Sequence, residues 1–297
     1  MQLKTGMALV AGMIVAAGSY ADVFGTGANE FELTFQPISG GSKPSGNYGN
    51  ISYAYSIGTH EITADQWQKY INASGGPVGS GTAYDASPGT SGSQAVNNVS
   101  WYEAAQFVNW LNTSTGNQAA YSFDASGVMS LWGEQEQSST SAFRHKDALY
   151  ALPSEDEWVK AAYWNGSSLQ TYATSGDVAP VAGSDANFAN AIGSIWDVGS
   201  GNAELNGTYD MMGNVWEWSE SGYTAPDDSV SEYRALRGGA FNNATNFVIS
   251  SKHLTYSPND ELSVFGFRVA AVPEPSTLAF VGVFGGGLWM IRRFFPM

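Results

Sequence analysis

Ten residues, Tyr209–Trp218 (YDMMGNVWEW), constrain this chain more than any other stretch. Two Trp, two Met, a Tyr, a Gly, an Asn and two carboxylates stand side by side. In a strand, Trp216 and Trp218 would share one face while Glu217 points to the other. Gly213-Asn214 just before them is a turn signal, because both residues tolerate positive φ. The stretch reads as a tight turn feeding a short buried strand. Glu217 is then either a solvated residue on a core strand or an anion aimed at a group that needs one.

The two ends read as export signals. Lys4, the apolar run Met7–Ala17 and the small-x-small Ser19-Tyr20-Ala21 predict a signal peptide over 1–21, cut after Ala21. Near the C-terminus, Val272-Pro273-Glu274-Pro275-Ser276 precedes an apolar run from Thr277 to Ile291 and then Arg292-Arg293. That run is short for a bilayer span of roughly 20 residues, and its basic pair suits a cytoplasmic stop. It reads either as a retained membrane anchor or as a sorting tail that is removed. The order of parts over 272–297 resembles the PEP-CTERM sorting signal of Gram-negative bacteria. That resemblance implies processing by an exosortase-type enzyme and delivery to the cell surface or extracellular matrix.

The domain left between them, 22–271, is long enough for one sizeable core. It keeps 9 basic and 26 acidic residues, a net charge of −17, once Lys4, Arg292, Arg293 and Glu274 are set aside. Such a balance argues against nucleic acid and anionic lipid as partners and suits a surface protein or one that binds cations. The chain has no cysteine. Disulfides, thiol nucleophiles and thiolate metal sites are therefore excluded.

Along the chain, Phe31–Phe35 and Ile51–Ile57 alternate like strands. Three pairs, Thr63 with Gln66, Ser100 with Glu103 and Ser154 with Glu157, are capping boxes, and each predicts a short helix. Residues 72–98 read as a long loop, Tyr121–Met129 as a strand, Glu134–Ser141 and Asp185–Gly207 as polar loops, and Phe265–Val269 as a closing strand. With 35 Gly, the fold is expected to rest on buried aromatics and bound ions more than on regular structure.

Five segments then carry a resemblance: HEITADQW near 60, NNVSWYEAAQFVNWL at 97–111, LPSEDEWVKAA at 152–162, NGTYDMMGNVWEW at 206–218, and LRGGAF with FGFRVA over 236–270. Their order and spacing resemble the formylglycine-generating enzyme (sulfatase-modifying factor) family. The resemblance implies an α+β fold of the C-type-lectin-like type, with short helices around small antiparallel sheets and calcium as a structural ion. It implies calcium at the turn, held by the Glu217 carboxylate and the carbonyls of Asn214 and Val215. A second calcium site would begin at Asn187 and Phe188, without an Asp at the family's usual downstream position. The family's enzymes oxidise a substrate cysteine with copper held by two cysteines after the RGG-aromatic segment. Here Gly238–Val248 holds no sulfur, so no copper is expected.

His60, His145 and His253 stand outside any ligand-spacing motif, and Arg237 and Arg268 read as internal carbonyl or carboxylate partners. Two functions remain open. One is a non-catalytic module whose loops 72–98, 112–148 and 219–232 bind matrix proteins or polysaccharide, with exposed Trp and Tyr as stacking platforms. The other is a sulfatase-modifying-type oxidoreductase or other enzyme with a cysteine-independent mechanism, for which His253 and Asp260 would have to converge on Asn243–Val248.

Overall fold

The computed structural model describes residues 18–272 apart from 42–43, 45–47, 82–83, 86 and 223–228. The sorting tail beyond Val272 and most of the predicted signal peptide lie outside the described residues.

All three helices begin where their capping boxes stand. They are α1 (Ala64–Ser74), α2 (Trp101–Ser114) and α3 (Glu155–Tyr163). At α3 the Ser154 hydroxyl accepts from the Glu157 amide at 3.1 Å, and Glu157 Oε2 accepts from the Ser154 amide at 2.6 Å. Each such cap contributes on the order of 1 kcal/mol. It places the start of a helix that is too short to be stable alone.

The strands are brief. The first half of the chain supplies β1 (Tyr20–Phe24), β2 (Phe31–Ile38), β3 (Tyr55–Gly58), β4 (Ser122–Phe123), β5 (Met129–Ser130), β6 (Gln137–Ser138), β7 (Ser141–His145) and β8 (Tyr150–Ala151). The second half adds β9 (Trp216–Gly222), β10 (Arg234–Arg237), β11 (Leu254–Tyr256), β12 (Phe265–Gly266) and β13 (Ala270–Ala271). Five of them form a sheet in the order β1-β2-β3-β13-β8, and four form another, β11-β10-β9-β12. The pairs β4-β5 and β6-β7 make two small hairpins.

Several expected boundaries shift for local reasons. The alternating stretch Ile51–Ile57 pairs only from Tyr55, where β2 runs alongside it. Tyr121–Met129 is a hairpin, turning at Asp124, whose carboxylate accepts from the amides of Ser126 and Val128. Residues 134–141, expected as loop, contribute Gln137–Ser138 to the other hairpin. The predicted cleavage point after Ala21 falls inside β1, which pairs along its whole length with β2.

Of the expected closing strand Phe265–Val269 only Phe265–Gly266 pair, as β12 in the four-stranded sheet. β13 follows just beyond it, at Ala270–Ala271 in the five-stranded sheet, so residues 265–271 tie the two together. Gly266 makes the crossing possible: a Cβ there would stand 2.4 Å from the Val96 carbonyl oxygen. Phe265, Phe267 and Val269 are all buried, and Phe267 meets Trp67 and Phe107 edge-on in the larger core. A second core forms under α3, where Trp158 and Tyr163 pack with Phe188, Met211, Met212 and Val248. Arg268 lies between the two sheets.

Candidate functional site

Gly213 and Asn214 both adopt positive φ, 92° and 60°. A Cβ on residue 213 would stand 2.1 Å from the Asn187 carbonyl oxygen, so only glycine fits. The turn is pinned from two sides: the Gly213 amide donates to the Gly238 carbonyl at 2.9 Å and the Asn214 amide to the Asn187 carbonyl at 2.8 Å. The strand that leaves it, β9, is buried on both faces, Glu217 included. Of the two readings for Glu217, the solvated one is excluded.

Glu217 is met by a guanidinium. Its Oε2 accepts from Arg268 Nε at 2.6 Å and from Trp158 Nε1 at 2.8 Å, and its Oε1 accepts from Arg268 Nη2 at 2.6 Å. Arg268 also donates through Nη1 to the carbonyls of Gly58 at 3.0 Å and Thr59 at 3.3 Å, and through Nη2 to Tyr209 at 2.9 Å. A guanidinium has five N–H donors. All five find an oxygen here. Burial works against the charge, but Glu217 more than offsets it and holds the Arg268 guanidinium above its ordinary value.

Three more buried carboxyl groups stand in this region. Glu61 accepts from Asn214 Nδ2 at 2.6 Å and the Val215 amide at 3.2 Å, and Asp210 from the Gly199 amide at 2.7 Å and Trp196 Nε1 at 2.8 Å. Glu204 accepts from the amides of Met211 and Met212 at 3.0 and 3.1 Å. Burial raises all three, Glu61 well above the usual carboxylate range and Glu204 to about 8. His60, tilted against Tyr209 with ring centroids 5.1 Å apart, is pushed down to about 4 by burial and by Arg268.

The residues expected to hold calcium prove to be neighbours. Asn214 Oδ1 accepts from Asn187 Nδ2 at 3.1 Å and from the Trp196 amide at 3.0 Å, while its carbonyl accepts from the Phe241 amide at 2.9 Å. The other Asn187 Nδ2 hydrogen goes to the Ser194 carbonyl at 2.9 Å. With both hydrogens used, the amide orientation is set, and Asn187 Oδ1 is left buried with no hydrogen-bond partner. The Phe188 carbonyl accepts from the Ala191 amide at 3.1 Å.

The segment where the copper cysteines would stand is a turn leading into a 3-10 helix, Thr245–Phe247, with Asn242, Ala244, Thr245 and Asn246 exposed. Asn243 Oδ1 accepts from the Ala240 amide at 3.0 Å, and Val248 is buried in the α3 core. His253 and Asp260 do not converge on it: His253 Nδ1 lies 2.8 Å from Glu155 Oε1, and Asp260 Oδ2 accepts from the Ser257 amide at 3.1 Å. Arg237 is internal as expected, bonded to Glu155 at 2.7 Å and to the carbonyls of Ser250 and Lys252.

Two groupings escape a linear reading. Arg144 joins Glu157 at 3.0 Å and Glu220 at 3.0 Å in a buried ionic triad. Among the described residues, Asp85, Glu103 and Glu261 present carboxylate oxygens within 4.8 Å of one another, a spacing that could hold a cation. Burial and the neighbouring Glu103 raise Glu261 to about 8. Glu157 and Glu103 both read as capping residues in sequence, which hid these second roles.

Fold and turn together define a class: a mixed α+β, C-type-lectin-like frame with little regular structure, organised on a buried GNVWEW turn. The chain belongs to the family of the Sulfatase-modifying factor enzyme 1-like domain, which matches residues 13–272. Among solved structures, the chain is similar to Treponema denticola variable protein 1, at 23% identity and a TM-score of 0.63 over 86% of this chain and 99% of that one. It is also similar to CarF, at 23% identity and a TM-score of 0.62 over 81% and 98%. These likenesses are of fold. Among curated proteins, the serine/threonine-protein kinase Pkn1 of Chlamydia trachomatis is 31% identical over 132 residues, 40% of this chain. The chain spans only 20% of that kinase's length. Chaperone protein LppX of Paenibacillus barcinonensis is 26% identical over 225 residues, 69% of this chain and 76% of that one.

Proposed function

We propose that this chain is an exported, non-catalytic member of its family, serving as a binding or structural module at the cell surface or in the extracellular matrix. The observation that carries the reading is the 240–248 segment. It offers no thiolate to copper, the chain has no cysteine to lend from elsewhere, and Asn243 and Val248 are engaged in holding the turn and filling the core. The signals at 1–21 and 272–297 support export and exosortase-type processing, and the net negative charge suits a hydrated surface over nucleic acid.

Ligand contact is assigned to the segments 72–98, 112–148 and 219–232, of which 112–148 carries the two small hairpins and 219–222 is the end of β9, with matrix proteins or polysaccharide as partners. The stacking surface is smaller than the 10 Trp suggest, since Trp67, Trp101, Trp158, Trp164, Trp216 and Trp218 are buried. Tyr233, at 55% exposure, is the aromatic best placed to meet a sugar face.

Calcium enters this reading as a structural ion at Asn187, whose buried Oδ1 without a partner is what fits a hard cation. Asn187 Oδ1 and the Phe188 carbonyl would hold it, and its chemistry there is bracing. The Glu217 carboxylate does not fit the group, being neutralised by Arg268 and bonded to Trp158, whereas the Asn214 and Phe188 carbonyls each carry one amide donor, from Phe241 and Ala191.

The test is incubation of the purified chain with Cu(I), oxygen and a cysteine-containing sulfatase peptide, read by mass spectrometry. No formylglycine is expected, and its formation would overturn the non-catalytic assignment.

A further inference from the structure

We infer that at the Gly213–Trp218 turn the Arg268 guanidinium takes the place that the family gives to a calcium ion, so that this turn binds no metal. The donor set makes the case. A calcium ion at a tight turn gathers a carboxylate and backbone carbonyls. Arg268 gathers the same kinds of oxygen: two from Glu217 and one each from Gly58, Thr59 and Tyr209. Every N–H of the guanidinium is used, and the carboxylate accepts three bonds, two at Oε2 and one at Oε1.

Position makes the arrangement exclusive. Glu217 and Arg268 are both fully buried, and Trp158 Nε1 adds a third donor to the carboxylate. A divalent cation at Glu217 would share one buried carboxylate with a guanidinium 2.6 Å away, and turning Arg268 aside to relieve that repulsion would leave a buried guanidinium without its counter-ion. Arg268 also reaches further than an ion would. It lies between β12 and β13, so its carbonyl contacts fasten the end of β3 and the approach to the turn to the segment joining the two sheets. Asn214 and Val215 were expected to lend backbone carbonyls, and that of Asn214 accepts from the Phe241 amide at 2.9 Å.

The inference stands apart from the calcium assignment at Asn187, and one experiment separates them. The full chain is stripped with chelator, and its melting temperature is read with and without Ca²⁺ for wild type, Glu217→Gln and Asn187→Ala. Glu217→Gln is expected to melt lower while keeping whatever Ca²⁺ response wild type shows. Loss of a wild-type Ca²⁺ response in Glu217→Gln would overturn the inference. A response lost only in Asn187→Ala supports both assignments, whereas no wild-type response supports Arg268 and overturns calcium at Asn187. Should Glu217→Gln fail to fold, the wild-type Trp158 indole N–H resonance decides. It donates to Glu217 Oε2, so it is expected to stay put under Ca²⁺, and a saturable Ca²⁺-dependent shift would overturn the inference.

Discussion

Arg268 and Asn187 flank the same turn and leave it in opposite conditions. On the Arg268 side every donor meets an acceptor, and the charge of Glu217 is cancelled by a partner from the far end of the chain. On the Asn187 side a buried oxygen faces no donor, although the nitrogen beside it is fully used. The difference teaches that a buried oxygen can be satisfied by a side chain brought from elsewhere in the chain, as at Glu217, or be left without a donor in the same turn, as at Asn187.

The comparison breaks most visibly at Arg268. Arg268→Met leaves Glu217 buried without a counter-ion and takes a donor from each of the Gly58, Thr59 and Tyr209 carbonyls, of which Thr59 keeps the Tyr209 amide, and about 3–5 kcal/mol of stability should be lost. Urea denaturation measures it. A loss under about 1 kcal/mol, the size of an exposed pair, would mean that the pair does not brace the turn.

The next largest effect is a pH dependence. Burial lifts Glu204 from 4.5 to about 8, so folding favours its protonated form. That contribution is complete below about pH 4.5 and is lost as pH rises through about 8. Asp210, raised by the same cause, adds in the same direction. Melting temperature should therefore fall on going from mildly acidic to mildly alkaline buffer, and Glu204→Gln should flatten the fall. A profile that rises over that range would contradict the burial assigned to these carboxyls.

A smaller change is expected at Asn187. Asn187→Ala removes two hydrogen bonds and an unsatisfied oxygen together, so in chelator it should cost only about 1–2 kcal/mol by urea denaturation. A cost matching that of Arg268→Met would erase the asymmetry between the two sides. Smallest of all is Tyr233→Ser, on the exposed face. It should stay within about 0.5 kcal/mol of wild type in stability while weakening co-sedimentation with matrix polysaccharide. Unchanged co-sedimentation would remove Tyr233 from the binding face.

Much of this frame was legible in the sequence because its signals are local. A capping box spans four residues, and all three predicted helices start where their boxes stand. Gly213-Asn214 announces a turn through its φ requirements alone, and the family segments fixed the order of the parts. What stayed hidden depends on distant pairing. Nothing near Glu217 says that its partner lies 51 residues on, and a carboxylate beside carbonyls is as good a beginning for a metal site as for an ion pair. Phe265–Val269 reads as one strand because its apolar alternation is unbroken. Only the assembled sheets end its pairing at Gly266, start the next ladder at Ala270 and place Arg268 in the gap. Glu103 and Glu157 were concealed by success, since each already has a complete local role as a cap.

The most direct measurement is a crystal structure grown in Ca²⁺ with an anomalous difference map. The account predicts no peak at Glu217, with the carboxylate held by Arg268 Nε and Nη2 and by Trp158. A peak among Glu217 and the carbonyls of Asn214 and Val215, with Arg268 turned aside, would contradict it.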